Sequence, residues 1–317
     1  MKIDNFSNFR LFNTTPIYSP EDYASREHFE HYFYTFYIRN KDKLPENLEY
    51  IPVFWHSYEN CKKKNLMTPV DLQDRLNSLD KSKKYFTVCS HYLGIRYELP
   101  ERTTVFTAAT DPDDKYGLLP HSKSDLKNVN SLWHETSRRL STVKIPLLKH
   151  PYDQKNEKRD NYFCNFVGAI NTHRCRKDMC DEFSNKKGIL IKTYDWKELH
   201  DWDNIDYYPT VVGSSTFTLC PRGFGRTSYR LYEAMQLGSI PVYFYDNKFL
   251  PYEDEINWSD ICLMIPLERI KDSYRILRLK TEVDAKEYRQ NIKTLYRKYF
   301  TRDGICDYIL RKLADEN

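Results

Sequence analysis

The stretch that decides the fold runs from Phe217 to Tyr243 and reads FTLCPRGFGRTSYRLYEAMQLGSIPVY. Its opening residues are β-prone, and we expect a strand over Thr216–Cys220 that ends at Pro221. A second apolar, partly β-branched run, Ser239–Phe244, is typical of a buried parallel strand. Between them the pattern is that of a tight loop and a helix. The stretch therefore predicts a strand–loop–helix–strand unit of an α/β fold.

The ends of the predicted helix have clear signals. Thr227 or Ser228 is a suitable N-cap, and the helix is expected to reach about Leu237. Gly238 then occupies the position where a glycine commonly follows the last helical turn. Before the helix, Gly223 and Gly225 let the backbone turn tightly and approach a ligand without an intervening Cβ. A glycine loop that leads into a helix N-terminus is suited to binding a phosphate.

Charged residues on this helix allow two interpretations. Arg226, Arg230 and Glu233 follow i, i+4, i+7 spacing and share one stripe if the helix begins early enough. In the functional interpretation, Arg226 and the loop amides hold a diphosphate while Glu233 accepts ribose hydroxyls. In the structural interpretation, an exposed, salt-bridged helix follows an ordinary turn. Spacing alone leaves both open, since a pair of glycines is a weak signal.

Residues 220–242, CPRGFGRTSYRLYEAMQLGSIPV, resemble the sugar-nucleotide-binding motif of exostosin-like glycosyltransferases, which reads close to CPRGxGRTSxRLxEAxxxGxIPV. Weaker resemblance covers residues 85–111, 165–179 and 250–266. The resemblance implies an α/β fold of GT-B type, with two facing Rossmann-like domains and a cleft between them. It also implies inverting transfer of a sugar from a nucleotide donor, expected to be a UDP-sugar, to a glycan or glycoconjugate hydroxyl, usually without a metal. The residues it assigns to the donor are Arg222, Gly223, Gly225, Arg226, Thr227, Ser228, Arg230 and Glu233, with Arg176 as a further phosphate ligand or a surface cation.

The length of 317 residues suits two domains. We expect an acceptor-side Rossmann-like domain over residues 1–155 and a nucleotide-sugar domain over 156–290. A charged helical tail, 291–317, is expected to pack back on the first domain. The polar stretch 152–161 is the expected linker.

The base required for inversion is expected after a strand of the first domain, because ligands collect beyond the carboxyl ends of parallel strands. His91 follows the predicted strand 85–90, and an imidazole titrates near neutral pH. Asp111, after the predicted strand 103–109, is the second choice. His121, His134 and His150 are alternatives that we expect to be structural or exposed.

Two short patterns are formally compatible with a metal, although we expect none. One is Asp111-Pro-Asp113, which matches a D-x-D motif but also fits a plain loop. The other is the group formed by Cys164, His173, Cys175 and Cys180. Its spacing lacks the close pairs that are typical of a zinc site.

Composition narrows the class of protein. A net charge of +4 in 317 residues does not indicate nucleic-acid binding.

The first twenty residues lack the apolar core of a signal peptide, and no apolar run reaches membrane-spanning length. We therefore expect a cytoplasmic enzyme of bacterial or viral origin, unlike membrane-anchored exostosins. The eight scattered cysteines are expected to be buried free thiols. A carbohydrate-binding protein without catalysis is the alternative function.

Overall fold

The structure is a computed structural model, and it describes residues 29–55, 72–91, 94–95, 97–108, 140–148, 151–152, 161–194, 207–223 and 225–315. Contacts divide the chain into two compact units. The first contains the described residues up to 148 together with those from Thr301 onward, and the second contains those from Pro151 to Phe300. The polar stretch 153–160, most of the expected linker, lies outside the described residues.

The first unit is built on a parallel sheet. Its strands are β1 (Leu48–Tyr50), β2 (Lys84–Cys89), β3 (Thr103–Thr107) and β4 (Ser141–Lys144), and they lie in that order. Every residue of β3, and all of β2 after Lys84, is buried, as expected for strands covered on both faces. Strand β1 is short, because only Leu48–Tyr50 pairs with β2.

Helices of the first unit cover this sheet. Helix α1 (Phe29–Asn40) places Phe33 edge-on to Phe86 of β2, with ring centroids 6.2 Å apart. Helix α2 spans Leu72–Asn77. The last helix of the chain also joins this unit, since the Tyr32 hydroxyl of α1 donates to the carboxylate of Asp303.

The second unit has a five-stranded parallel sheet in the order β6-β5-β7-β8-β9. The strands span Tyr162–Ala169 (β5), Ile189–Tyr194 (β6), Ser215–Pro221 (β7), Ile240–Tyr245 (β8) and Leu263–Pro266 (β9). The chain passes from β5 to β6 on one side, then returns to β7 on the other. The loops after β5 and β7 therefore leave the sheet at the point where strand order reverses, which is where α/β sheets bind ligands. The predicted α/β class with parallel sheets is confirmed in both units.

Three helices of the second unit lie between its strands along the chain: α3 (Arg174–Phe183), α4 (Tyr207–Gly213) and α5 (Tyr229–Gln236). Three more close the chain: α6 (Ser273–Arg278), α7 (Glu282–Tyr299) and α8 (Arg302–Asp315). Helix α7 belongs to the second unit and α8 to the first, so the chain changes unit at Phe300–Thr301. Within the described part of the chain, no helix is long and apolar enough to cross a membrane.

The motif segment forms the predicted elements with two differences. Strand β7 includes Pro221, which pairs with Phe244, because a strand's last residue needs no N–H donor. Helix α5 is capped by Ser228 and starts at Tyr229, so the expected helical stripe through Arg226 is wrong: Arg226 lies in the preceding loop. The predicted end is confirmed, with Gly238 at φ +76°.

This helix end is a complete Schellman motif. The Gly238 N–H donates to Met235 O at 3.2 Å, and the Ser239 N–H donates to Ala234 O at 2.9 Å. Such an end requires a left-handed backbone at one residue, which glycine adopts at little cost. The turn delivers the chain directly into β8, next to β7.

Candidate functional site

Four arginines gather around the loops that follow β5 and β7 of the second unit. Arg222, at the start of the second loop, is 1% exposed, and Arg176, on the first turn of α3, is 7% exposed. Arg226 in the loop and Arg230 on α5 are exposed by 7% and 9%. The structural interpretation of an exposed, salt-bridged helix is therefore wrong, because its cations are buried.

Arg176 joins the two loops. Its Nε donates to Arg222 O at 2.9 Å and its Nη1 donates to Ala169 O at 2.7 Å, so one side chain joins the ends of β5 and β7. Burial, and then the charge of Arg230, lower the pKa of Arg176 to about 9. The alternative of a surface cation is wrong for Arg176, since the side chain is buried.

The loop glycine makes room for this arginine. A Cβ on Gly223 would lie 3.0 Å from Arg176 Nη2, tighter than ordinary contact. Gly223 does not have a positive φ, so what it contributes is the space left by its missing side chain.

Arg230 is held against strand β5. Its Nη2 donates to Val167 O at 2.6 Å, and its guanidinium carbon lies 4.6 Å from the centroid of the Phe166 ring. A Cβ on Gly168 would lie only 2.3 Å from Nη2. The glycine at the exit of β5 therefore creates the space that the Arg230 guanidinium fills.

Arg222 has a carboxylate partner. Its Nη1 donates to Asp246, which follows β8. Burial alone would raise the pKa of Asp246, but the charge of Arg222 and hydrogen bonds from Arg222 and the Asn247 N–H lower it overall. The Asp246 carboxylate thus neutralises one of the loop arginines.

Arg226 differs from the other three arginines. Within the described residues, its buried Nε and Nη2 have no hydrogen-bond partner. Next to it, Thr227 is buried, and the Ser228 side chain makes no capping hydrogen bond. The first N–H groups of any helix lack intrahelical partners. Unpartnered donors of Arg226 and the start of α5 thus occupy one short segment.

Glu233, one turn along α5, is held by two tyrosines. The Tyr208 hydroxyl donates to Oε2 at 2.8 Å, and the Tyr152 hydroxyl donates to Oε1 at 3.1 Å. Burial first, then the charge of Glu233, raise the pKa of Tyr208 well above its ordinary value, so this phenol remains a donor. Each carboxylate oxygen has lone pairs left for further donors.

Among the described residues, positive charge exceeds negative charge at this edge of the sheet. Four buried guanidinium groups lie near two carboxylates, Asp246 and Glu233. Burying a cation without a counter-charge costs several kcal/mol. A ligand with about two negative charges at the loops would restore neutrality and accept hydrogen bonds from Arg226.

The predicted base lies in the other unit. His91 follows β2 and is 1% exposed, and its carbonyl accepts from the Gly94 N–H at 3.0 Å. The preceding residue, Ser90, is fixed by the buried carboxylate of Glu30, which accepts from its N–H at 2.7 Å and its hydroxyl at 3.1 Å. Asp111, Asp113, His121, His134 and His150 lie outside the described residues.

The cysteine and histidine group has an ordinary structural arrangement. His173 caps α3, and its Nδ1 accepts from the Cys175 N–H at 3.2 Å. Among the described residues, no three His, Cys, Asp or Glu side chains form a group that could hold a metal ion. The seven cysteines in the described ranges are free and buried, which confirms that part of the expectation.

Sequence reasoning missed several contributors. Tyr152 was placed in the linker, although its carbonyl also accepts from Gln236 Nε2 at 3.2 Å. Gly168 was not assigned to the site. Thr172, buried beside the glycine loop, and Glu30, which holds Ser90, had no local signal, because the residues they lie against are distant in sequence.

Comparison with known proteins agrees with the motif. The Exostosin GT47 domain matches residues 108–279. The chain is 25% identical to the Exostosin-1 homolog of Caenorhabditis elegans over 198 residues, 53% of this chain and 52% of that protein. It is 32% identical to Ribitol-5-phosphate xylosyltransferase 1 of Danio rerio over 85 residues, 26% of this chain and 20% of that protein.

Among solved structures, TarM aligns over 74% of this chain and 55% of its own, with a TM-score of 0.42 and 10% identity. A TM-score of this size carries no argument about function. The chain spans about half the length of the C. elegans relative, and less of the other. The Exostosin GT47 domain nevertheless covers more than half of this chain, including the whole arginine-lined loop, and the chain therefore belongs to the exostosin GT47 family.

Proposed function

We propose that this protein is a glycosyltransferase that moves a sugar from a nucleoside diphosphate donor, a UDP-sugar, to a hydroxyl of a glycan or glycoconjugate. The buried arginine cluster at the strand-order reversal carries the proposal, because the unpartnered donors of Arg226 and the excess positive charge among the described residues suit a diphosphate. Membership of the exostosin family supports the reaction class. The GT-B arrangement, the choice of uridine and the acceptor are parts of the same proposal.

The cluster suits the leaving group in particular. As the bond between sugar and diphosphate breaks, negative charge grows on the β-phosphate, and fixed donors there stabilise the transition state more than the ground state. Arg226, Ser228 and the start of α5 fill this role. Loss of one such donor commonly lowers turnover by about 10²–10³-fold.

The other motif residues position the donor. Arg176, Arg222 and Arg230 are fixed by carbonyls or a carboxylate, so they set the shape and potential of the site. Glu233, oriented by two tyrosine hydroxyls, accepts the ribose hydroxyls. Because the arginines supply the positive charge that a divalent cation would supply, we propose that transfer needs no metal.

Inversion requires a base that takes the acceptor proton on the face opposite the diphosphate. We propose His91 for this role, with Asp111 as the second choice. The support for His91 is its position at the carboxyl end of β2, in a segment that Glu30 holds in place.

A transfer assay with a panel of UDP-sugars and oligosaccharide acceptors tests the proposal. We expect turnover in EDTA, and a product whose anomeric configuration, read by NMR, is opposite to that of the donor. His91→Ala should retain UDP binding and lose turnover, whereas Arg226→Ala should lose both. Binding of glycan without turnover on any donor would instead support the carbohydrate-binding alternative.

A further inference from the structure

Thr172 lies in the loop between β5 and α3, outside the motif. It is 4% exposed, and within the described part of the chain its Oγ1 has no hydrogen-bond partner. A buried hydroxyl without a partner destabilises the folded protein, so its presence requires an explanation.

The position of the Thr172 hydroxyl provides this explanation. Oγ1 lies 3.7 Å from where a Cβ on Gly223 would be, so the buried hydroxyl lies directly beside the glycine loop. Arg176 Nη2 lies 3.0 Å from the same point. Thr172 thus lies at the strand-order reversal, on the loop after β5, facing the loop after β7 that carries Arg226.

We propose that the Thr172 hydroxyl donates a hydrogen bond to a phosphoryl oxygen of the nucleoside diphosphate, opposite Arg226 across the glycine loop. This inference rests on the proposed function and adds a donor that the motif does not contain. A phosphoryl oxygen suits the position better than a sugar hydroxyl. The reason is that the neighbouring Arg176 and the start of α3 both favour an anion.

The inference predicts opposite effects on the free and the bound protein. Thr172→Val keeps the side-chain shape but removes the unpartnered hydroxyl, so the ligand-free protein should melt at the same or a higher temperature than wild type. The same variant should bind UDP and inorganic pyrophosphate about tenfold more weakly, because a hydrogen bond to a charged group is lost. Thr172→Ser keeps the hydroxyl and should restore most of the affinity.

Thr218→Val is the matched control. In the wild-type protein the buried Thr218 hydroxyl accepts from Asn165 Nδ2 at 2.7 Å and donates to Ser239 Oγ at 2.8 Å. This variant should lower the melting temperature of the free protein. If Thr172 had a structural role, Thr172→Val would lower the melting temperature as Thr218→Val does. That result would overturn the inference.

Titration calorimetry with UDP, pyrophosphate and UDP-glucose distinguishes the remaining outcomes. Equal weakening of UDP and pyrophosphate by Thr172→Val supports the phosphoryl contact. Unchanged UDP affinity with weaker UDP-glucose binding would assign the hydroxyl to the sugar and overturn the inference, as would unchanged affinity for all three. Failure of the wild-type protein to bind any of them would overturn the proposed function, and this inference with it.

Discussion

The Tyr152 hydroxyl donates to Glu233 Oε1 at 3.1 Å, joining the point where the described chain enters the second unit to the motif helix. A second hydrogen bond joins Tyr152 to this helix, because Gln236 donates to the Tyr152 carbonyl. One tyrosine therefore fixes both the chain entry into this unit and the orientation of the carboxylate that we assign to the ribose.

Tyr152→Phe should weaken UDP binding by about tenfold, because the loss of a hydrogen bond to a charged group costs about 1.5–3 kcal/mol and leaves Glu233 less well oriented. Calorimetric titration measures this. Tyr274→Phe, whose ring packs near Lys186 away from the motif, is the control and should bind UDP as wild type does. Equal UDP affinity in wild type, Tyr152→Phe and Tyr274→Phe would contradict the proposal that Tyr152 orients Glu233 for binding.

Arg226→Ala should abolish measurable UDP binding while leaving the free protein as stable as wild type or more so. The reason is that the buried Nε and Nη2 of Arg226 have no partner among the described residues and would gain one only from the diphosphate. Denaturant unfolding and titration together test both parts. Arg275→Ala removes an arginine whose side chain is 74% exposed, and should change neither quantity. A destabilised Arg226→Ala protein with normal UDP affinity would make Arg226 structural.

Gly168→Ala should displace the Arg230 guanidinium, since the new Cβ would lie 2.3 Å from Nη2. We expect a loss of about 1–3 kcal/mol in the free energy of unfolding, from the lost Val167 contact, and weaker UDP binding. Gly213→Ala is the matched control, because its nearest atom would be Leu237 O at an ordinary 3.7 Å. Identical behaviour of the two variants would contradict the packing argument.

The buried thiols predict a pH dependence. Burial, the largest cause, raises the pKa of Cys175 and Cys220 from 9.0 to about 12. In the unfolded chain these thiols ionise near pH 9, so the free energy of unfolding should fall as pH rises from about 9 toward 12. Urea unfolding of wild type and Cys220→Ala across this range measures the slope, which should be shallower in the variant. Parallel curves would contradict the prediction.

The sequence was most informative where the determinants are local. The cap at Ser228, the glycine at Gly238 and strand β8 follow from residues a few positions apart, and the structure agrees. The stripe through Arg226 required an earlier helix start than the predicted caps allow, and the helix begins only after Ser228.

Burial of the charged helix could not be predicted, because it depends on packing between distant segments. Arg230 is buried because Gly168 leaves space and Phe166 offers a ring, and both lie on another strand. The family resemblance selected the loop around which the buried arginines gather. The tyrosine hydroxyls on Glu233 and the unpartnered Thr172 became visible only once the strands and loops were assembled.

The most direct test of the central claim, diphosphate binding by the arginine-lined loop without a metal, is the melting temperature with UDP, GDP or CMP, in EDTA and in Mn²⁺. A nucleotide at about 100 times its Kd stabilises the fold by about 2.7 kcal/mol, which raises the midpoint by a few degrees. We predict such a rise with UDP in EDTA, absent in Arg226→Ala. A rise only with Mn²⁺, or none with any nucleotide, would contradict the account.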